Sequence, residues 1–213
     1  MPHPPRFDLQ RALDYISGLT PPPVTLAVTA ADLPGVLTRP PLDPLSVGLL
    51  ENFVRARRPS RVLEVGASLG QTALALGRIL RESGGKLTTI EIVPEIAGAA
   101  RENVRAAGLA DVVEVVLGDA NAVLPDLAGP FGLILQDSEK DDYLPQLDRL
   151  AGLLETGGWL VTDDVLFPVI DLPETARHWQ PVVDAYNRAL RRRTDLDTVW
   201  LPLGYGIAVS VKL

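Results

Sequence analysis

Cysteine is absent from this 213-residue chain, which excludes disulfides, thiolate metal sites and cysteine nucleophiles and is compatible with a reducing cytosol. Histidine is scarce: only His3 and His178 are present, and both read as surface residues rather than ligands. No apolar run is long enough to cross a bilayer, so no membrane partner is expected. The opening "MPHPPRF" puts prolines and a charge where a secretory signal needs an unbroken apolar stretch, which leaves the cytoplasm as the expected location. Positive charge is in deficit as well. With 20 Lys and Arg against 27 Asp and Glu, the net charge is −7, so the surface lacks the field with which a general nucleic-acid or anionic-membrane binder concentrates its partner.

What is present is 46% hydrophobic side chains, enough for a sizeable core in one domain. Residues 1–44 are proline-rich, with "TPPPVT" at 20–25 and "RPPLDP" at 39–44, while "FDLQRALDYISGL" has helical spacing through Phe7, Leu9, Leu13 and Ile16. This predicts an N-terminal arm with one short helix ahead of a regular domain, 45–213. In that domain a helix near 45–57 precedes short apolar runs alternating with amphipathic helices. The predicted strands are 61–65, 86–92, 112–117, 131–136 and 159–162, and the helices between them lie near 70–82, 95–107, 121–127 and 143–155. "TVWLPL" and "GIAVSVKL" then give two more strands with only "GY" between them, which is hairpin spacing. The expected fold is α/β, a seven-stranded, mostly parallel sheet with helices on both faces and an antiparallel C-terminal hairpin.

In such a sheet ligands bind beyond the carboxyl ends of the strands. Those ends are acidic here: Glu64, Glu91, Asp119, Asp137 and the pair Asp163-Asp164. The first strand runs into "VLEVGASLGQT", where Ser68 and Gln71 occupy the second and third glycine positions of a dinucleotide turn, and no Gly-Lys-Ser/Thr of a P-loop follows. Taken alone, this is a tight turn with glycines for close packing. The acid at the second strand end, Glu91, can accept both hydroxyls of a ribose, and acids around the turn suit a cationic cofactor better than a phosphorylated one. S-adenosylmethionine has a ribose, an adenine and a sulfonium, and no phosphate.

With Glu64, Gly66, Gly70 and Glu91 spaced as E-x-G-x-x-x-G and a second-strand acid, the sequence resembles the class I methyltransferases of Rossmann-like fold. The resemblance implies that Gly66 and Ser68 line the methionine end, that Glu91 holds the ribose, and that Asp119 and Ala120 border the adenine. Glu64, Gly70, Thr72, Ile92 and Asp137 complete the implied cofactor set.

The fourth strand empties into "QDSEKDDY". Asp141, Asp142 and Glu139 read as a solvated start to the next helix. Asp137 does not, because it sits at the strand end, roughly 5 Å from the neighbouring end that carries Asp163-Asp164. Three carboxylates so close either have raised pKa values or hold a cation between them. Oxygen ligands favour a hard ion, Mg²⁺ first, with Mn²⁺ or Ca²⁺ as alternatives. Asp137, Lys140, Tyr143, "LLETGGWLVTDDV" and "LPLGYGIAVSVKL" together are similar to the metal-dependent catechol and caffeoyl-CoA O-methyltransferases. That resemblance implies Asp137, Asp163 and Asp164 as metal ligands and Lys140 as the catalytic residue that takes or steers the hydroxyl proton. Two positions depart from the family: Asp164 stands where Asn is usual, and Tyr205 where caffeoyl-CoA-type relatives have an aspartate.

The expected activity is metal-dependent O-methylation of a small catechol-like or hydroxylated aromatic. One alternative is methylation of a hydroxylated uridine in tRNA, with Arg188, Arg191, Arg192 and Arg193 on phosphates, which the net charge disfavours. Another is a non-catalytic binding protein that keeps the fold. Phe167 and Trp179 read as packing residues with a secondary prospect of stacking on the acceptor. By likeness to relatives, the arm and the terminal hairpin are expected to join a homodimer.

Overall fold

The computed structural model describes residues 8–213, so the expectations for His3 and Phe7 lie outside the described residues. A short amphipathic helix, α1 (Leu9–Ser17), opens the described chain, its first turn capped by the Asp8 carboxylate accepting from Arg11 N. After it come α2 (Pro44–Arg57), β1 (Arg61–Val65), α3 (Gln71–Ser83), β2 (Lys86–Glu91), α4 (Pro94–Ala106), β3 (Val113–Leu117), α5 (Ala120–Val123), β4 (Phe131–Gln136), α6 (Tyr143–Leu153), β5 (Leu154–Thr162), α7 (Trp179–Arg191), β6 (Leu196–Leu201) and β7 (Ile207–Lys212). Proline at the first turn of α2 and α4 starts both helices where a backbone N–H would be unpaired in any case.

Among the described residues these strands form one sheet in the order β3-β2-β1-β4-β5-β7-β6, parallel except that β7 runs antiparallel between β5 and β6. Successive strand residues face opposite layers. Val62, Leu87, Leu133, Leu135 and Val161 pack with α2, α3 and α4, whereas Leu63, Val65, Ile134 and Leu160 pack with Leu147 and Leu150 of α6 and Tyr186 and Leu190 of α7. The expected mostly parallel sheet, covered on both faces, is what the chain forms.

Several boundaries differ from the sequence reading. β5 begins at Leu154 rather than 159, because its register against β4 jumps between Phe131 and Leu133 and the Gly157-Gly158 pair lies inside this irregular stretch. The hairpin loop spans 202–206 rather than two residues; Pro202 has no N–H for the ladder. The proline-rich segment is laid on the helices: Asn103 accepts from Val28 N at 2.7 Å and donates to Val28 O at 2.9 Å, while Leu26, Val28, Leu33 and Val36 pack on Leu69, Ile96 and Ala99. No helix among the described residues is long and apolar enough to cross a membrane.

Candidate functional site

The chain winds outward from β1 through β2 to β3 and then returns to place β4 beside β1, so a crevice opens at the carboxyl ends of β1 and β4. A cavity of about 830 Å³ lies there, lined by Gly66, Ser68, Glu91, Ile92, Asp119 and Ala120 on one side and by Asp137, Lys140, Asp163 and Asp164 on the other. The backbone zips the strand ends together: Asp137 N donates to Val65 O at 2.9 Å and Asp163 N to Gln136 O at 3.2 Å. Gly66 has φ +99°, and a Cβ there would run into the Asp137 carbonyl.

Glu91 is fixed by the turn beside it. Its Oε2 accepts from Ser68 N at 2.9 Å and its Oε1 from Val93 N at 3.0 Å, which leaves the remaining lone pairs of an aligned carboxylate for a ligand. Ser68 adopts φ 45°, the left-handed conformation that aims its N–H at Glu91. Asp119 caps α5 by accepting from Asn121 N at 2.8 Å. Three of the implied cofactor residues do not line this cavity. Gly70 is a buried N-cap glycine against Ala100, and Thr72 faces a smaller cavity under the proline arm. Glu64 is buried beneath the turn and accepts from Thr89 Oγ1 at 2.6 Å; burial pushes its carboxyl up to about 8, the Thr89 bond works against this, and the charges of Asp137 and Glu91 add to it.

On the other side of the crevice Asp137, Asp163 and Asp164 each offer an oxygen, all within 4.8 Å of one another. Burial raises Asp163 to about 8, with Asp137 and Asp164 adding repulsion. Burial also raises Asp137 to about 6 despite the nearby Lys140 ammonium. Lys140 Nζ lies 2.7 Å from Asp164 Oδ2 and 3.4 Å from Asp137 Oδ1, and donates to Tyr143 Oη at 3.0 Å. Burial alone would lower the lysine, but Tyr143, Asp137 and Asp164 outweigh it and hold the ammonium well above the usual lysine range. Asp163 Oδ1 is buried with no hydrogen-bond partner, an arrangement that costs free energy unless a cation or other donor meets it. An all-oxygen set with one orphaned carboxylate oxygen fits a hard divalent ion.

The acids after Asp137 do other work than starting α6. Asp142 occupies the N-cap position with no capping bond, and its Oδ1 instead accepts from Asn121 at 2.9 Å. Glu139 pairs with Arg39 at 2.6 Å, and Asp141 accepts from Trp179 Nε1 at 3.3 Å. These acids therefore tie the arm, α5 and α7 to the rim, because the chain turns into a short 3-10 segment at Lys140–Asp142 before the helix.

The proline-rich arm forms one wall of the cavity, and Arg39 within it is the residue that sequence reasoning missed. Leu37, Arg39, Pro40 and Pro41 line the cavity, and Arg39 lies 5.3 Å over the Trp179 ring. The available signal was a lone arginine before two prolines facing a run of acids. Phe167 and Trp179 also line the cavity, with stacked rings 6.2 Å apart, and Tyr205 meets Phe167 edge-on at 6.0 Å, so the two are wall residues and not packing alone. His178 is exposed beside Trp179. The arginine patch is partly consumed: Arg188 pairs with Asp184 at 2.7 Å, and Arg193 grips Asp195 through two bonds of 2.8 Å and also contacts Asp148.

Residues 45–213 match the family model described as O-methyltransferase. The chain belongs to the O-methyltransferase family. Among curated relatives, the catechol O-methyltransferase of Bos taurus is 35% identical over 127 residues, covering 56% of this chain and 46% of that protein. The caffeoyl-CoA O-methyltransferase of Stellaria longipes is 26% identical over 177 residues, covering 78% and 73%. The match to this O-methyltransferase-family chain thus spans about half the length of several of these relatives, 46% of the Bos taurus protein and 48% of the Mus musculus one. In fold it is similar to the SAH-bound Podospora anserina methyltransferase, with a TM-score of 0.79 at 23% identity over 100% of both chains. The architecture is the class I methyltransferase fold.

Proposed function

We propose that this O-methyltransferase-family chain transfers the methyl group of S-adenosylmethionine to a hydroxyl of a small catechol-like or hydroxylated aromatic, with a divalent cation, Mg²⁺ first, held by Asp137, Asp163 and Asp164. The observation that carries this reading is the meeting, in one cavity, of a backbone-anchored Glu91 on one side and an under-neutralised triacid with Lys140 on the other. Glu91 suits a ribose diol, and Gly66, whose Cβ would strike the Asp137 carbonyl, lets the ends of β1 and β4 close up so that the two sides of the cavity meet.

A phenol with a pKa of about 10 is a weak nucleophile at neutral pH. When bound, a divalent cation supplies charge stabilisation for the aryl oxide. The protein's own residues do the rest. The Asp137 and Asp163 backbones, locked to β1 and β4, fix the carboxylates; Lys140, held as an ammonium, has no lone pair with which to take the hydroxyl proton, and instead steers the acceptor oxygen and offsets its developing negative charge beside them. Phe167, Trp179 and Tyr205 offer faces and edges to a flat ring and exclude water from the charged end. Much of the rate then comes from holding oxygen, methyl and sulfur in line. A vicinal diol or hydroxy-carbonyl aromatic satisfies such a site better than a lone hydroxyl. Exposed Val199 and Trp200 on the edge strand β6, with Tyr15 and Ile16 on α1, support a homodimer joined through the hairpin and arm.

The test is methyl transfer from labelled S-adenosylmethionine to a panel of catechols, hydroxycinnamoyl thioesters and unmodified tRNA, with and without Mg²⁺. Labelling of a catechol that disappears with chelator is the expected result. Labelling of tRNA alone would move the acceptor to nucleic acid.

A further inference from the structure

The triacid already holds a cation of the chain's own. Lys140 Nζ sits 2.7 Å from Asp164 Oδ2 and 3.4 Å from Asp137 Oδ1, on a side chain only 9% exposed. Ser138 O at 3.1 Å and Tyr143 Oη at 3.0 Å complete a set of four acceptors around its three N–H groups, and Tyr143 is itself fully buried, so the ammonium is held in place from behind. Asp163 receives no such partner, and its Oδ1 is left bare. Asp164 occupies the left-handed region at φ 59°, which Asp and Asn tolerate better than other side chains, so the backbone accepts either residue. What an asparagine could not supply is the full charge that pairs with Lys140.

We propose that Lys140 and a divalent cation compete for the carboxylates of Asp137 and Asp164, so that Asp164 serves first as the counter-charge of Lys140 and only second as a metal ligand. The inference rests on the reading that the triacid binds a metal. A divalent ion entering among the three acids meets an ammonium already bonded to two of them. It must displace those bonds and tolerate a like charge a few ångströms away. The charge at 164 is engaged by Lys140 rather than open to the ion, so the Lys140–Asp164 pair sets how tightly the ion is held.

Binding of Mn²⁺ alone to the full, cofactor-free chain tests this without reference to turnover, by titration calorimetry or by the signal of free Mn²⁺. Lys140→Met should tighten Mn²⁺ binding by about tenfold or more, since one buried like charge is removed. Asp164→Asn alone should change binding by less than about threefold, because in the wild type that carboxylate is already committed to Lys140, whereas in the Lys140→Met background, where it is free to serve as a ligand, the same change should weaken binding by about tenfold. Lys140→Gln repeats the comparison with a polar head in case the methionine variant does not fold, and circular dichroism accompanies every variant. Wild-type Mn²⁺ binding that Lys140→Met and Lys140→Gln leave unchanged, or an additive cycle, overturns the competition while the metal reading stands. Failure of all variants and of the wild type to bind Mn²⁺ overturns both.

Discussion

Replacing Glu64 by Gln should stabilise the protein at neutral and alkaline pH and leave it unchanged in acid. Glu64 is 2% exposed, and its carboxyl, at 4.5 in an unconstrained chain, is pushed up to about 8 by burial, against the Thr89 hydrogen bond and with help from Asp137 and Glu91. A folded-state pKa raised above the unfolded one means that the contribution is fully present below 4.5 and is lost as pH rises through about 8. At about 1.4 kcal/mol per pH unit over that window, the loss in the wild type is at most on the order of 5 kcal/mol. Glutamine keeps the shape and an acceptor for Thr89 Oγ1, 2.6 Å away, but has no proton to lose. Urea unfolding followed by tryptophan fluorescence, from about pH 4 to about pH 9 without cofactor, should give two stability curves that coincide in acid and separate progressively, with the variant above. Parallel curves across the whole range would mean instead that Glu64 ionises in the folded protein as readily as in the unfolded one, and that its burial carries no such penalty.

Asp195 should show the opposite sign. Arg193 and then Lys212 hold its carboxyl below the usual range, so its contribution is present above the unfolded pKa and is lost as pH falls, and Asp195→Asn should cost about 1 kcal/mol at neutral pH after allowance for solvent screening, vanishing in acid unfolding titrations. Arg39→Ala should shift stability by less than about 0.5 kcal/mol, since its pair with Glu139 is exposed, yet raise KM for the acceptor because Arg39 lines the cavity over Trp179; unchanged KM in steady-state assays would remove the arm from the acceptor site.

The sheet was legible because its strands are buried on both faces and so read as short apolar runs; "FGLILQ" is strand from end to end, all six residues buried. β5 was half hidden, since the two glycines that permit its register jump look from sequence like a turn. The meeting of Asp137, Asp163 and Asp164 could be read from strand-end positions, because parallel neighbours must end side by side. Glu64 was harder. Period-two alternation turns it away from the cavity toward Thr89, its register partner on β2, although the motif puts it next to the glycine turn. How the arm is fastened over the cavity was not legible, because it depends on Asn103 clamping Val28 across 75 residues and on Arg39 reaching Glu139 across 100, contacts that no local pattern encodes.

On the proposed reading the triacid and the Glu91 side of the cavity serve one methyl transfer. The decisive measurement is labelled-methyl transfer to a catechol as Mg²⁺ is titrated into metal-stripped wild type and Asp137→Ala. Turnover that rises with Mg²⁺ in the wild type and is lost in the variant, with S-adenosylmethionine still bound, is the predicted result. Full, chelator-insensitive turnover by Asp137→Ala at saturating cofactor would contradict it.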